Sequence, residues 1–223
     1  MKKVFISGSM SIKKLDELVL ESLEKIISNN LQVLVGDADG VDKLVQEYFF
    51  NRNYFNVTVY TIFDNLRNLL SHYFKIKKIE TKNLKGRKAQ EKKDEAMTMD
   101  SDYSFVIWDG KSKGSFNNIL RAIENNKKLK VYYEKEKRFL EKEELNIDNI
   151  KRIYYKHNGL GLKELVKYSN QSLSYIKEFV KHYPQFRIIN YYKGKEQIKY
   201  SIELADILIE YHLFGILNKG KRF

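Results

Sequence analysis

The chain has no cysteine among its 223 residues. This absence excludes disulfide bonds, a thiolate nucleophile and any zinc or iron–sulfur site held by cysteine. Four histidines, His72, His157, His182 and His212, are scattered without the short spacings of metal ligands. We therefore expect no metal site.

Long apolar runs are also missing. The run that follows Met1, Lys2 and Lys3 stops at Gly8 and Ser9, too early for the hydrophobic region of a signal peptide. No other stretch approaches the roughly 20 apolar residues of a membrane span. We expect a soluble, cytoplasmic protein with no membrane partner.

Acidic residues are scarce towards the C-terminal end. Residues 151–223 hold 14 Lys and Arg but only 6 Asp and Glu, so they carry a net +8 of the chain's +12. This local excess favours attraction to nucleic acid, although a lysine-rich solvated surface gives the same count. With 43% hydrophobic residues, the chain can bury one large core or two small ones.

Three apolar runs each break into a turn that contains glycine. The runs and their turns are residues 4–9, 33–40 and 105–115. A buried parallel strand that ends in glycine before a helix presents free backbone N–H groups and the positive end of the helix dipole. Three such turns at one sheet edge predict a nucleotide-like ligand.

The first part of the chain alternates strands with helices. Strands are predicted at 4–9, 31–35, 57–62, 103–108 and 130–133, with helices at 13–28, at 41–50 and through 119–123. This order favours a doubly wound parallel sheet, the α/β class. Residues 64–98 are ambiguous: the lysine-rich part fits a solvated helix and loop, or a flexible arm over the ligand.

Four short motifs follow the predicted strands in order. They are Gly8-Ser9, the segment 36–42 of form G-x-x-x-G-x-D, the segment 93–97 and the segment 108–115. Together they resemble the SLOG superfamily, Rossmann-like nucleotide-binding domains that include the LOG phosphoribohydrolases and the DNA-processing protein of natural transformation. The resemblance covers about residues 3–134 and implies a nucleotide or nucleotide derivative as the ligand.

The predicted ligand-binding residues lie in or beside these turns. Gly36 and Gly40 allow backbone amides to surround a phosphate or ribose. Asp39 either accepts ribose hydroxyls or closes an Asx turn, and Trp108 either stacks on a base or packs in the sheet. The set is Gly8, Ser9, Gly36, Asp37, Asp39, Gly40, Asp42, Arg87, Lys93, Trp108, Ser112, Gly114 and Ser115. Arg87, Lys93 and Lys113 are the candidates for neutralising phosphate charge, whereas Asp42 is expected to complement the helix dipole and Ser115 to suit an N-cap.

Catalysis is less well supported than binding. In the LOG enzymes, the turn that matches 108–115 is followed by a catalytic glutamate, and Asn118 occupies that position here. Asparagine cannot act as a general base. Glycosidic cleavage of a nucleotide would need another carboxylate, for which Asp94, Asp109 and Asp39 are the candidates.

The second part begins after a charged segment, so we predict domains at 1–134 and 147–223 with a linker at 135–146. Predicted helices at 147–155, 162–168 and 172–183 precede strands at 186–192 and 197–202. This order resembles a winged helix-turn-helix, a small α+β domain. Nucleic-acid contacts are expected from the third helix and the hairpin tip, at Gln171, Ser174, Tyr175, Lys177, Lys181, Lys193 and Lys195.

Alternatives remain for each part. A winged helix also serves as a protein-interaction module, and Glu178 on the polar face disfavours DNA. A last helix at 204–217, with Ile207, Leu208, Tyr211 and Phe214, suggests a homo-oligomer contact. The leading hypothesis is a nucleotide sensor joined to a nucleic-acid-binding module; the others are a nucleotide N-glycosidase and a protein that processes single-stranded DNA.

Overall fold

The structure is a computed structural model that describes residues 1–192 and 195–218. The chain forms two compact units, Met1–Ile150 and Lys151–Phe223. Among the described residues, none of the helices combines the length and the apolar character that crossing a bilayer requires.

The first unit is built on one seven-stranded sheet. Six strands run parallel and β7 is antiparallel to β6, in the spatial order β4-β3-β2-β1-β5-β6-β7. The strands are β1 Lys3–Gly8, β2 Gln32–Val35, β3 Val57–Thr61, β4 Lys75–Lys78, β5 Tyr103–Trp108, β6 Lys128–Tyr133 and β7 Arg138–Phe139.

Four helices accompany this sheet: α1 Glu17–Ser28, α2 Val41–Asn51, α3 Gly86–Asp100 and α4 Lys113–Glu124. Alternate residues of β1 pack in different clusters. Val4 and Ile6 join the larger core with Leu23 of α1, whereas Phe5 packs in a second cluster with Met97 of α3. Burial on both sides explains why the central strands are almost continuously apolar.

The predicted α/β class is therefore confirmed, and the parallel sheet with flanking helices is Rossmann-like. Two strands were not predicted. All four residues of β4 are exposed and three of them are lysines, so β4 lacks the apolar pattern that identifies a strand, as is common at a protected sheet edge. The expected linker at 135–146 contains β7 and a 3₁₀ turn at Lys142–Glu144, and it lies within the first unit.

The second unit has a small hydrophobic core of its own. Its elements are most of α5 (Ile147–Asn158), then α6 (Leu162–Ser169), α7 (Leu173–Phe179), β8 (Arg187–Tyr192), β9 (Lys195–Tyr200) and α8 (Ile202–Asn218). The strands β8 and β9 pair antiparallel, and Leu160 forms an isolated antiparallel bridge with Tyr200. Leu160, Leu165, Ile176 and Leu208 are fully buried in this core.

Two expectations for this unit need correction. The helix expected over 172–183 ends at Phe179 and continues only as 3₁₀ turns, because Pro184 disfavours the helical region for Tyr183, whose φ and ψ are −128° and 53°. The apolar residues thought to be exposed on the last helix are partly core, since Leu208 is buried and Ile207 packs against the cluster. Phe214 and Lys193 lie outside the residues whose side chains the structure describes.

Two glycines with positive φ provide a test of the turn after β2. Gly40 has φ +72°, and a Cβ there would lie 2.5 Å from the Met10 Cα, whereas Gly86 has φ +57° and open space around it. We expect Gly86→Ala to lower the free energy of unfolding by about 1 kcal/mol through backbone strain alone, and Gly40→Ala by about 3 kcal/mol or more. Urea unfolding of both variants is the measurement, and equal losses would contradict the close approach of Met10.

Candidate functional site

The site lies where the strand order reverses. Since β1 lies between β2 and β5, the chain leaves β1 and β5 towards opposite sides, and such a switch point opens a crevice beyond the carboxyl ends of the strands. A cavity of about 270 Å³ lies at this edge. It is lined by Phe5, Ser7, Gly8, Met10, Ala38, Asp42, Arg67, Arg87, Gln90, Glu91, Lys93, Asp94, Met97, Ser112, Lys113, Gly114, Ser115, Asn117 and Asn118.

A buried lysine forms the inner wall. Lys93 is 2% exposed, and its Nζ lies 3.8 Å from Asp37 Oδ1 and 3.7 Å from Asp94 Oδ1. A Cβ on Gly36 would lie 2.7 Å from this Nζ and would also overlap the Asp42 carboxylate. Glycine at position 36 is therefore needed to make room for the two charged side chains, because a buried ammonium must keep its counter-charges close.

Asp37 stays ionised and balances the positive charge of Lys93. It is fully buried and accepts hydrogen bonds from Arg67 Nη2 at 2.6 Å and from Thr61 Oγ1 at 2.9 Å. Burial alone would raise the pKa of this carboxyl, but the hydrogen bonds and the charge of Lys93 outweigh burial and hold the pKa below its ordinary value. Asp37 lies behind the cavity wall, so it anchors the loop that carries Arg67.

Three further carboxyls line the cavity, those of Asp42, Glu91 and Asp94, and Glu91 pairs with Arg87 at 3.2 Å. Asp42, in the first turn of α2, is 8% exposed and accepts a hydrogen bond from the Ala38 N–H at 3.2 Å. Burial raises the pKa of Asp42 to about 6, against the opposing charge of Lys93. Asp94 keeps one fifth of its side chain exposed, and burial raises its pKa too, with Lys93 and Arg121 opposing.

Cationic groups form the other side of the cavity. Arg67 and Arg87 have 35% and 54% of their side chains exposed, and Lys113 and Gly114 lie at the N-terminus of α4. Backbone N–H groups at a helix N-terminus favour an anion. The N-cap of α4 is Ser112, which accepts a hydrogen bond from the Ser115 N–H, and not Ser115 as predicted.

One hydroxyl in the cavity lacks a partner. Ser7 is 5% exposed and lines the cavity, and its Oγ makes no hydrogen bond with any described residue. A buried polar group is normally satisfied, so this hydroxyl is available to a ligand. Sequence reasoning missed Ser7 and Arg67. A polar residue at the end of an otherwise apolar strand was the available signal for Ser7, whereas Arg67 belongs to no motif.

Several predicted residues lie away from the cavity wall. Asp39 is exposed and accepts a hydrogen bond from Asn68 Nδ2 at 3.0 Å. Trp108 is fully buried, its indole N–H donates to the Ser112 carbonyl, and its ring lies beside Phe116. The base-stacking role considered for Trp108 is therefore wrong, because neither face is open to a ligand.

Asp109 stabilises the turn after β5 and does not line the cavity. It accepts hydrogen bonds from Ser11 Oγ at 2.6 Å, from the Ser112 N–H at 2.7 Å and from the Lys111 N–H at 2.9 Å. Burial would raise the pKa of Asp109, yet these donors lower it. The Asp109 N–H in turn donates to Ser9 Oγ. Ser9, Gly36 and Gly40 likewise lie behind the lining residues.

The residues expected to bind nucleic acid lie on or beside α7. Ser174, Lys177 and Lys181 are exposed, and Gln171 is partly exposed. Lys181 pairs with Glu178 at 2.7 Å, and Tyr175 is 36% exposed beside Phe179. Lys195 is the first residue of β9 and is exposed, whereas Lys193 lies outside the described residues.

No protein-family model matches the chain, and a comparison with curated proteins gives no match either. The described residues contain no group of three or more acidic or histidine side chains arranged to hold a metal ion. The functional assignment therefore rests on the cavity and on the second unit's surface.

Asp42 gives the first unit a defined pH dependence. Because its folded pKa of about 6 exceeds the ordinary value of 3.8, ionisation of Asp42 costs stability progressively as pH rises from about 4 to 6. We expect Asp42→Asn to be more stable than the parent by roughly 1–3 kcal/mol at pH 8, with no advantage at pH 4. Urea unfolding across this pH range is the measurement.

Asp109→Asn serves as the control of opposite sign. The lowered pKa of Asp109 contributes stability at neutral pH that is lost in acid. The loss of stability caused by Asp109→Asn should therefore be greatest at pH 7 and should shrink in acid. A difference between Asp42→Asn and the parent that stays constant with pH would contradict the assignment.

Proposed function

We propose that the first unit binds a nucleotide or nucleotide derivative and that the second is a nucleic-acid-binding module, so that the chain acts as a ligand-responsive regulator. The observation that carries this proposal is the cavity's composition. Arg67, Arg87 and Lys113 lie with the N-terminus of α4 around a space that also contains the unpartnered Ser7 hydroxyl. A phosphate group matches these donors and charges.

The cavity's other groups favour a sugar or a base beside that phosphate. Asp94 offers a carboxylate to hydroxyl groups, and Asn117 and Gln90 offer amides. A volume of about 270 Å³ lies near the lower end of small-molecule sites, which favours a mononucleotide over a dinucleotide. The resemblance to the SLOG superfamily agrees with this ligand class.

The second unit supports the nucleic-acid half of the proposal. A winged helix-turn-helix has the order helix, short strand, helix, helix and hairpin, and here α5, the Leu160 bridge, α6, α7 and the β8–β9 hairpin follow in that order. The exposed Lys177 of α7, the exposed Lys181 just beyond it and the net +8 of residues 151–223 are suited to phosphate contacts.

Thermal unfolding with a panel of nucleotides tests the proposal. We expect a nucleoside monophosphate to raise Tm in proportion to log concentration, and duplex DNA to raise it at low salt only. Arg87→Ala should weaken nucleotide binding about 10-fold, because a charge-assisted hydrogen bond is lost. Lys88→Ala removes a charge from the same helix outside the cavity and should bind normally. No stabilisation by any nucleotide, together with no salt-sensitive DNA binding, would refute the proposal.

A second candidate function is N-glycosidic cleavage of the bound nucleotide, and the position of Asp94 favours it. Asn118, at the position of the LOG-type glutamate, donates a hydrogen bond to Asp94 and accepts one from Arg121 at 2.7 Å. A carboxylate from α3 thus lies beside the position where the family has one on α4. Asp94 would take a proton from the water that attacks C1′ while the C1′–N bond breaks. Asp94 would then give that proton to the departing nucleobase, so that ribose phosphate and neutral free base result.

Incubation with nucleoside monophosphates, followed by chromatography, tests this activity. If Asp94 is the general base, the parent releases free nucleobase and ribose phosphate, and Asp94→Asn lowers the rate of release at least 100-fold. Binding of the uncleaved nucleotide by Asp94→Asn, measured by calorimetry, shows that the cavity is intact. Absence of free base with the parent, under conditions where the nucleotide binds, rules out the hydrolase and leaves the sensor.

A further inference from the structure

The second unit carries an aromatic cleft on α7 and α8. The cleft, of about 380 Å³, is lined by Tyr175, Glu178, Phe179, His182, Tyr183 and Tyr211. Every described residue that lines it is aromatic or ionisable. Phe179 forms the floor at 7% exposure, and its ring centroid lies 6.0 Å from Tyr175, 4.7 Å from Tyr183 and 5.9 Å from Tyr211.

Two of the three tyrosine rings around this floor are open to solvent, and Tyr183 is partly buried. Tyr175 is 36% exposed and Tyr211 is 59% exposed. Exposed aromatic groups concentrated at one place mark an interaction surface more often than a structural one. The Tyr175 ring stacks on Phe179 at an angle of 27°, and the exposed parts of Tyr175 and Tyr211 are aromatic surfaces on which another planar ring can stack.

The charges around the cleft favour an anionic occupant. Lys177 is exposed on the same helix, and residues 151–223 carry a net +8. The one carboxylate in the cleft, Glu178, is paired with Lys181 at 2.7 Å, so its negative charge is locally balanced. Exposed aromatic groups in a unit whose sequence carries excess positive charge match a nucleobase attached to a phosphate backbone.

We propose that the aromatic cleft binds an unpaired base of single-stranded nucleic acid, with a neighbouring phosphate against Lys177 of α7. This inference rests on the proposed nucleic-acid binding by the second unit and specifies the form of nucleic acid that this surface selects. Bases within a duplex are stacked on each other and cannot enter the cleft, whereas an unpaired base stacks on exposed aromatic side chains.

Fluorescence anisotropy with the full chain tests the inference. The probes are labelled oligothymidylate, an abasic strand with the same number of phosphates, and a duplex of equal length. We expect the oligothymidylate to bind most tightly and Tyr211→Ala to weaken it about 10-fold, the usual effect of losing one stacked base. Binding of the abasic strand should be unaffected by that substitution, since only phosphate contacts remain.

Two controls separate stacking from folding. Tyr211→Phe keeps the ring and should bind like the parent, whereas Tyr73→Ala removes a tyrosine of similar exposure, 62%, from the first unit and should have no effect. Equal affinity for the oligothymidylate and the abasic strand would overturn the inference. A Tyr211→Ala variant that binds the oligothymidylate normally would also overturn the inference. If, in addition, light scattering shows a dimer for the parent and a monomer for Tyr211→Ala, the cleft joins two copies of the chain instead.

The duplex separates this inference from the proposed function. Salt-sensitive duplex binding without preference for the single strand would refute the single-strand inference and leave the nucleic-acid-binding module standing. Absence of binding to all three probes would refute both.

Discussion

The first unit depends on the burial of one ammonium group. Lys93 reaches from α3 to the turn after β2, where it is almost completely removed from water. A buried charge is tolerated only with close counter-charges, and here they come from the β2 turn, from α2 and from α3 itself. Asp37 extends the network to Arg67. One buried charge thus fixes the relative positions of two helices and two loops, and it excludes any side chain at Gly36.

This network also determines which cationic side chains are available to bind an anionic ligand. Sequence reasoning assigned Lys93 to phosphate neutralisation, but its Nζ is surrounded by Asp37, Asp42 and Asp94, so most of its charge is already balanced inside the protein. In the proposed complex a phosphate would therefore rely on groups nearer the solvent, namely Lys113 and Arg87, whose ion pair with Glu91 is solvent-exposed. The most buried charged groups of the lining are Asp42 and Lys93, whereas Arg87 and its partner Glu91 are more exposed, so the proposed nucleotide would place its phosphate towards the outer cations.

Local sequence signals predicted the parts of the fold that follow from local physics. The strands β1, β2, β3, β5 and β6 are apolar and end in recognisable turns, so their order and the sheet class could be predicted. The exposed lysines of β4 resemble a loop, because an edge strand protected by charge loses the apolar pattern. The glycine turns lie at the sheet edge where the cavity is found, but Arg67 reaches that edge through tertiary contacts that no local pattern encodes. Asp109 resembled a catalytic residue, although backbone and hydroxyl donors occupy its carboxylate.

Binding and cleavage make different demands on the same cavity. Binding uses groups that are already in place: cations, a helix N-terminus and the unpartnered Ser7 hydroxyl. Cleavage also needs a carboxylate basic enough to take a proton from water. Asn118 cannot supply it, since its side chain is an amide; that amide is held between Asp94 and Arg121. The task falls to Asp94, whose pKa burial raises while Lys93 and Arg121 oppose the rise. Ligand binding does not require Asp94 to replace a missing glutamate, so the proposed sensor function is better supported than cleavage.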